Sequence, residues 1–184
     1  MDNQKSVWGI IFLMVIIAAG FGLAGIFTPA KVVAAAKPAK LMPVYVHMNG
    51  FNAFVESVVA VRPGQSVVFV NEDTGVHTVQ GYNPITGKAL QYPMGMLLGT
   101  PGPGHKVHTY TVRYNKPGVY YYYCTMHAVL EKVYKNMVQP AHRVGVHGFA
   151  GAMAGIIIVT KNPAILKQNA PTCRDKILKS YFGG

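Results

Sequence analysis

Residues 119–127 read VYYYYCTMH. Tyr120, Tyr121, Tyr122 and Tyr123 are consecutive aromatic side chains, which fit a pleated surface better than a helix, so they predict an extended strand. At its end stands Cys124, one of two cysteines in the chain, and His127 follows three residues later. Such a strand either stops at a buried thiol or delivers a metal ligand.

Working outward, short β-like runs are separated by Asn-Gly, Pro-Gly and Asp-Thr-Gly punctuation. The pattern predicts strands over 44–48, 53–61, 66–71, 76–80, 107–113, 119–124 and 155–160, with an irregular stretch over 81–105. Many short strands with regular turn signals predict an all-β, antiparallel Greek-key sandwich or barrel. Between Cys124 and Met153 lies an insertion. Its first half, HAVLEKVYKNM, repeats Val129, Val133 and Met137 every four residues, which predicts one apolar face of a helix.

The flanks have a different character. Val7 to Phe27 is a run of 21 residues without charge, long enough to cross a hydrocarbon core of about 30 Å. It exceeds the roughly 7–15 apolar residues of a signal peptide, although AAAK at 34–37 loosely resembles a cleavage site. The expected organisation is therefore a membrane anchor over 1–28, a Pro- and Ala-rich linker over 29–43, a β domain over 44–160 and a basic tail over 161–184. The positive-inside count alone would place the large domain inside, but long domains translocate largely regardless of charge, and this one is expected to be exported.

The formal charge is +11, and it arises mainly because acids are few: Asp2, Glu56, Glu72, Asp73, Glu131 and Asp175. The basic residues are scattered and not gathered into a patch, which argues against nucleic acid as a partner. In acidic surroundings a carboxylate with a pKa of about 4 is neutral and gives no solubility. The shortage of acids accordingly points to an acidic compartment; an anionic partner or lipid surface is the other reading.

Three segments together resemble the cupredoxins. PGQSVVFVNEDTGVHTV at 63–79 has the family's Pro-Gly turn, strand, Asn71 and His77. NKPGVYYYYC resembles the strand that leads to the ligand cysteine. HGFAGAMAGIIIV resembles the close of the fold, with His147, Met153 and the final strand. The resemblance spans about 44–160 and implies one type 1 copper held by His77, Cys124, His147 and Met153. Soft thiolate, two imidazoles and a distant thioether suit both copper oxidation states. His127 is the alternative second histidine, since C-x2-H matches short-loop members. His147 is preferred because it stands six residues before Met153, while no methionine closely follows His127. Taken alone, Cys124 could be a core residue or pair with Cys173. A lone cysteine in this loop excludes a two-thiolate CuA centre.

With its anchor and low acid content, the chain looks like the membrane-anchored, rusticyanin-like cupredoxins of acidophilic iron-oxidising respiratory chains. That resemblance implies an electron carrier, not an enzyme, on the periplasmic face of the inner membrane. Its expected partners are a c-type cytochrome and cytochrome c oxidase. The rival readings are a structural or assembly subunit, and a red-copper or type 2 site that binds a small molecule such as nitric oxide, using Cys124, His127, another histidine and Glu72 as a further candidate.

Overall fold

The computed structural model describes residues 41–102, 104–134, 137–147 and 151–169. The chain divides into two units, Met1–Pro38 and Ala39–Gly184. The expected anchor, most of the linker and the end of the tail with Cys173 lie outside the described residues. Among the described residues no helix is long and apolar enough to cross a membrane.

The described elements run β1 (Val44–Asn49), β2 (Ala53–Phe54), β3 (Val58–Val61), β4 (Ser66–Asn71), β5 (His77–Tyr82) and β6 (Ala89–Leu97). They continue with β7 (His108–Arg113), β8 (Gly118–Tyr123), β9 (Ala128–Tyr134), β10 (Met137–His142), β11 (Ala154–Val159) and a single-turn helix, α1 (Pro163–Leu166). One sheet has the order β2-β1-β4-β7 and the other β3-β11-β8-β5-β6. Val46 and Phe69 from the first sheet and Tyr122 and Ile157 from the second meet in one core.

Alternation explains the burial. In β11 the residues at 155, 157 and 159 are buried while 154, 156 and 158 stay partly exposed, as a period of two requires. Of the four tyrosines only Tyr122 is fully enclosed. It meets Phe54 and Phe69 edge-on, with ring centroids 4.9 and 5.1 Å away. Each such pair adds about 0.5–1.5 kcal/mol beyond its burial. Gly155 makes this possible, because a Cβ there would lie 2.3 Å from Tyr122 Oη and 2.5 Å from the Ser57 carbonyl oxygen.

Three expectations are corrected. The sheets are mixed, not antiparallel throughout: β1 runs parallel to β4, and β3 parallel to β11. The cause is that 53–61 is not one strand. Residues 53–54 pair with β1, and the chain then crosses to the other sheet, where 58–61 runs beside β11. One segment thus turns the corner of the sandwich. Second, 81–105 is not wholly irregular, since β6 pairs with β5 along the sheet edge.

Third, the described part of the insertion holds no helix. β9 and β10 pair antiparallel instead, with Ala128 opposite His142 and Glu131 opposite Gln139. A spacing of four is even, so it places Val129 and Val133 on one face of a strand as well as on one face of a helix. The β-branched valines and the cross-strand bonds decide for the strand.

Candidate metal centre

β5 and β8 are antiparallel neighbours, with Gln80 opposite Tyr123. His77 opens β5 and Cys124 directly follows β8, so the pairing brings them to the same end of the sheet. A tight turn then returns the chain: the Cys124 carbonyl accepts from the N–H of Ala128 at 2.9 Å and of His127 at 3.3 Å. That turn swings the His127 ring back over the thiol. Cys124 Sγ lies 3.3 Å from His127 Nδ1 and 3.9 Å from His77 Nδ1, and the two Nδ1 atoms are 3.1 Å apart.

These separations are a test of whether a metal ion fits. A triangle with sides of 3.1, 3.3 and 3.9 Å has a centre about 2 Å from each corner. Metal bonds to imidazole nitrogen and thiolate sulfur are about 2.0–2.3 Å long. One ion therefore fits among the three donors, and a thiolate with two imidazoles is a donor set that favours copper. Among the described residues, His77, Cys124 and His127 are the group that could hold a metal.

The other expected ligands are placed as follows. Met153 is buried at 1 % exposure, and its carbonyl accepts the Cys124 N–H at 2.9 Å, so it lies immediately across from the cysteine. His147 is exposed and stands outside the group. Its backbone carbonyl accepts a hydrogen bond from the Asn52 side chain. The geometry brings His127, the alternative second histidine, and not the preferred His147, beside the cysteine. The physical reason is the hairpin. It leaves and returns at nearly the same point, with the Arg143 N–H donating to the His127 carbonyl at 3.3 Å, so the insertion closes behind His127. The compact C-x2-H spacing survives it.

The surroundings favour the thiolate. The Thr78 N–H donates to Cys124 Sγ at 3.3 Å, and the Thr78 hydroxyl lies 3.7 Å away. Burial pushes the Cys124 thiol up. The hydrogen bonds from His77, Thr78 and the Met126 backbone outweigh it and hold the group below its ordinary value. Cys124 is buried and is a free thiol among the described residues. Burial, reinforced by the charges of His77 and Arg143, pushes His127 down to about 4. Burial also disfavours His77 as a cation, but Asp73 and Cys124 overcome this and raise it.

Two residues that were not singled out as functional shape the centre. Arg143 Nη2 donates to the carbonyls of Thr125 at 2.8 Å and Ala128 at 3.3 Å, clamping the ligand turn from the far side. Nothing in its sequence context marks it, because its position depends on the return of β10. The other is Asp73, whose Oδ2 lies 2.8 Å from His77 Nε2. Its signal was present in NEDTGVH, as a carboxylate four residues before a candidate ligand.

No protein-family model matches the chain. Among solved structures, a purple cupredoxin from Nitrosopumilus maritimus matches 64% of the chain and 99% of its own, at 18% identity and a TM-score of 0.43. An amicyanin from Paracoccus versutus matches 68% of the chain and 86% of its own, at 22% identity and a TM-score of 0.38. The copper reading rests on strand order and donor geometry. Two mixed sheets around one core, with Cys124 leaving β8 between His77 and His127, give the chain a cupredoxin-like fold around a donor set that fits one type 1 copper.

Proposed function

We propose that the protein carries single electrons, through one copper held by His77 Nδ1, Cys124 Sγ and His127 Nδ1 with Met153 as a weak fourth ligand. The observation that carries this is the donor triangle, closed by side chains from two strand ends and a short turn. Copper bound there would supply a one-electron couple. The protein's own part is to keep the donors fixed in both oxidation states. The Thr78 backbone holds the sulfur, Asp73 holds one ring and the Arg143 clamp holds the turn that carries the other. With these positions taken by protein, no substrate needs to reach the metal, so the protein is read as a carrier and not an enzyme.

His127 is the outermost ligand, half-buried where His77 and Cys124 are fully enclosed. Met126, its chain neighbour, is exposed, and so is Met96, which lies opposite Thr78 on the adjoining strand. An apolar face beside a ligand suits brief contact with a redox partner. On the resemblance of the sequence, that partner is a c-type cytochrome or a cytochrome c oxidase subunit. The uncharged run at 7–27 supports an anchor in the inner membrane with the β domain in an acidic periplasm. The test is to load the chain with Cu(II) and record the optical and EPR spectra of the wild type and of Cys124→Ser. Electron exchange with a reduced c-type cytochrome then tests the partner separately.

A further inference from the structure

The loop between β4 and β5 is more firmly built than a simple connection requires. The Asn71 side chain donates to the carbonyls of Gly75 at 2.8 Å and Leu98 at 2.9 Å, while its oxygen accepts from the Asp73 N–H at 3.0 Å. Thr100 returns from the other side. Its hydroxyl donates to the Asn71 carbonyl at 2.7 Å and its N–H to the Asp73 carbonyl at 2.6 Å. Gly99 lets the two segments touch, because a Cβ there would lie 1.8 Å from the Thr74 carbonyl oxygen.

What this scaffold presents is one carboxylate, on Asp73, which is only 4 % exposed. Its two oxygens have separate partners. Oδ1 accepts from the Thr74 N–H at 2.7 Å and so belongs to the loop. Oδ2 faces His77 Nε2 at 2.8 Å, and the His77 ring is itself fully enclosed. A carboxylate at this distance is an acceptor only, so the proton of a neutral His77 must sit on Nε2. Nδ1 is then the bare nitrogen, and it is the one that faces Cys124 Sγ and His127 Nδ1.

We propose that Asp73 is the positioning residue of the centre: its buried carboxylate selects the Nε2–H tautomer of His77 and thereby aims a free Nδ1 lone pair at the metal position. The inference rests on the copper reading for its affinity consequence, but the tautomer itself is a property of the metal-free protein. A carboxylate behind a ligating imidazole orients the ring and makes it a stronger donor, and loss of such a partner typically weakens metal binding by about 10–100-fold. The remaining bonds of the loop explain why the carboxylate does not move away when the ring is drawn toward a metal.

Asp73→Asn is the informative variant, since it keeps the shape while an amide can donate as well as accept. The tautomer is read from ¹⁵N-edited NMR of the His77 ring in the metal-free chain, at a pH above the ring's observed titration. The wild type is expected to show Nε2–H alone, and Asp73→Asn a mixture of both tautomers. Cu(II) titration should show affinity falling by about 10–100-fold in the same variant. A single Nε2–H tautomer in Asp73→Asn, or an affinity within twofold of the wild type, overturns the proposal. If the wild type binds no copper through the thiolate, the copper reading falls and the tautomer measurement alone decides the role of Asp73. Should Asp73→Asn not fold, Asp73→Ser is measured in the same two ways, and the same results decide.

Discussion

His77 Nδ1 and His127 Nδ1 stand 3.1 Å apart, although 50 residues separate them in the chain. Two imidazole nitrogens this close, with a thiol beside both, gain most when a cation lies among them. The arrangement predicts which histidine matters. His127→Ala should abolish the thiolate–copper spectrum or convert it to one of lower symmetry, whereas His147→Ala should leave it unchanged. EPR of the two loaded variants checks this, and a spectrum altered only in His147→Ala would reverse the ligand assignment.

Proton competition gives a second prediction. Burial first, and then the charges of His77 and Arg143, push His127 down to about 4, below the value of about 6.5 expected in the unfolded chain. As pH falls, the unfolded chain therefore takes up this proton first. From this group the metal-free fold loses stability progressively between about pH 6.5 and 4, and loses nothing above that window. His77 is shifted upward, so its contribution has the opposite sense: it is present below about 6.5 and lost as pH rises through its folded value. For copper, the consequence is that the outer ligand stays neutral well into acid. NMR titration of the metal-free protein should give a His127 midpoint near 4 and a His77 midpoint above the ordinary value. A His127 midpoint near 6.5 contradicts the reading.

The Arg143 clamp predicts a coupling between the insertion and the metal. Arg143→Ala removes a charged donor from the Thr125 and Ala128 carbonyls on either side of His127. Hydrogen bonds from charged groups are worth about 1.5–3 kcal/mol in partly buried settings. Chemical denaturation should show a loss near that size, and copper should leave the variant faster when a chelator is added. An unchanged release rate would separate the hairpin from the site.

Packing between β8 and β11 predicts a large effect far from any ligand atom. Gly155→Ala would press a methyl group to within 2.3 Å of the Tyr122 hydroxyl and 2.5 Å of the Ser57 carbonyl oxygen, so one of them must shift. Overpacking of a tight core usually costs about 1–3 kcal/mol. Since Tyr122 stands two residues before Cys124, the same variant should broaden the EPR signal of the loaded protein. Denaturant unfolding measures the first effect, and wild-type stability in Gly155→Ala would show that the close approach has slack.

The sequence was informative wherever one local rule sufficed. Alternation and turn residues located β4 and β7 closely, and they placed Cys124 at the end of an aromatic strand. It was ambiguous where two rules agree, as for Val129 and Val133, whose spacing of four fits strand and helix alike. It did not decide between the two candidate second histidines. His147 lies the expected distance before Met153 along the chain, but ligation depends on where the hairpin closes, and that is set by pairing between β9 and β10. Arg143 was invisible for the same reason. Asp73 was legible in principle, four residues before His77, yet only its N–H bond to Asn71 and the Thr100 N–H on its carbonyl show that it is held in place.

The most direct test of the account is the absorption and EPR spectrum of the Cu(II)-loaded chain, recorded beside that of Cys124→Ser. The donor triangle predicts the intense visible thiolate band and narrow copper hyperfine splitting of a type 1 site in the wild type, with both lost in Cys124→Ser. A loaded wild type without that band, or a spectrum indifferent to Cys124→Ser, would contradict it.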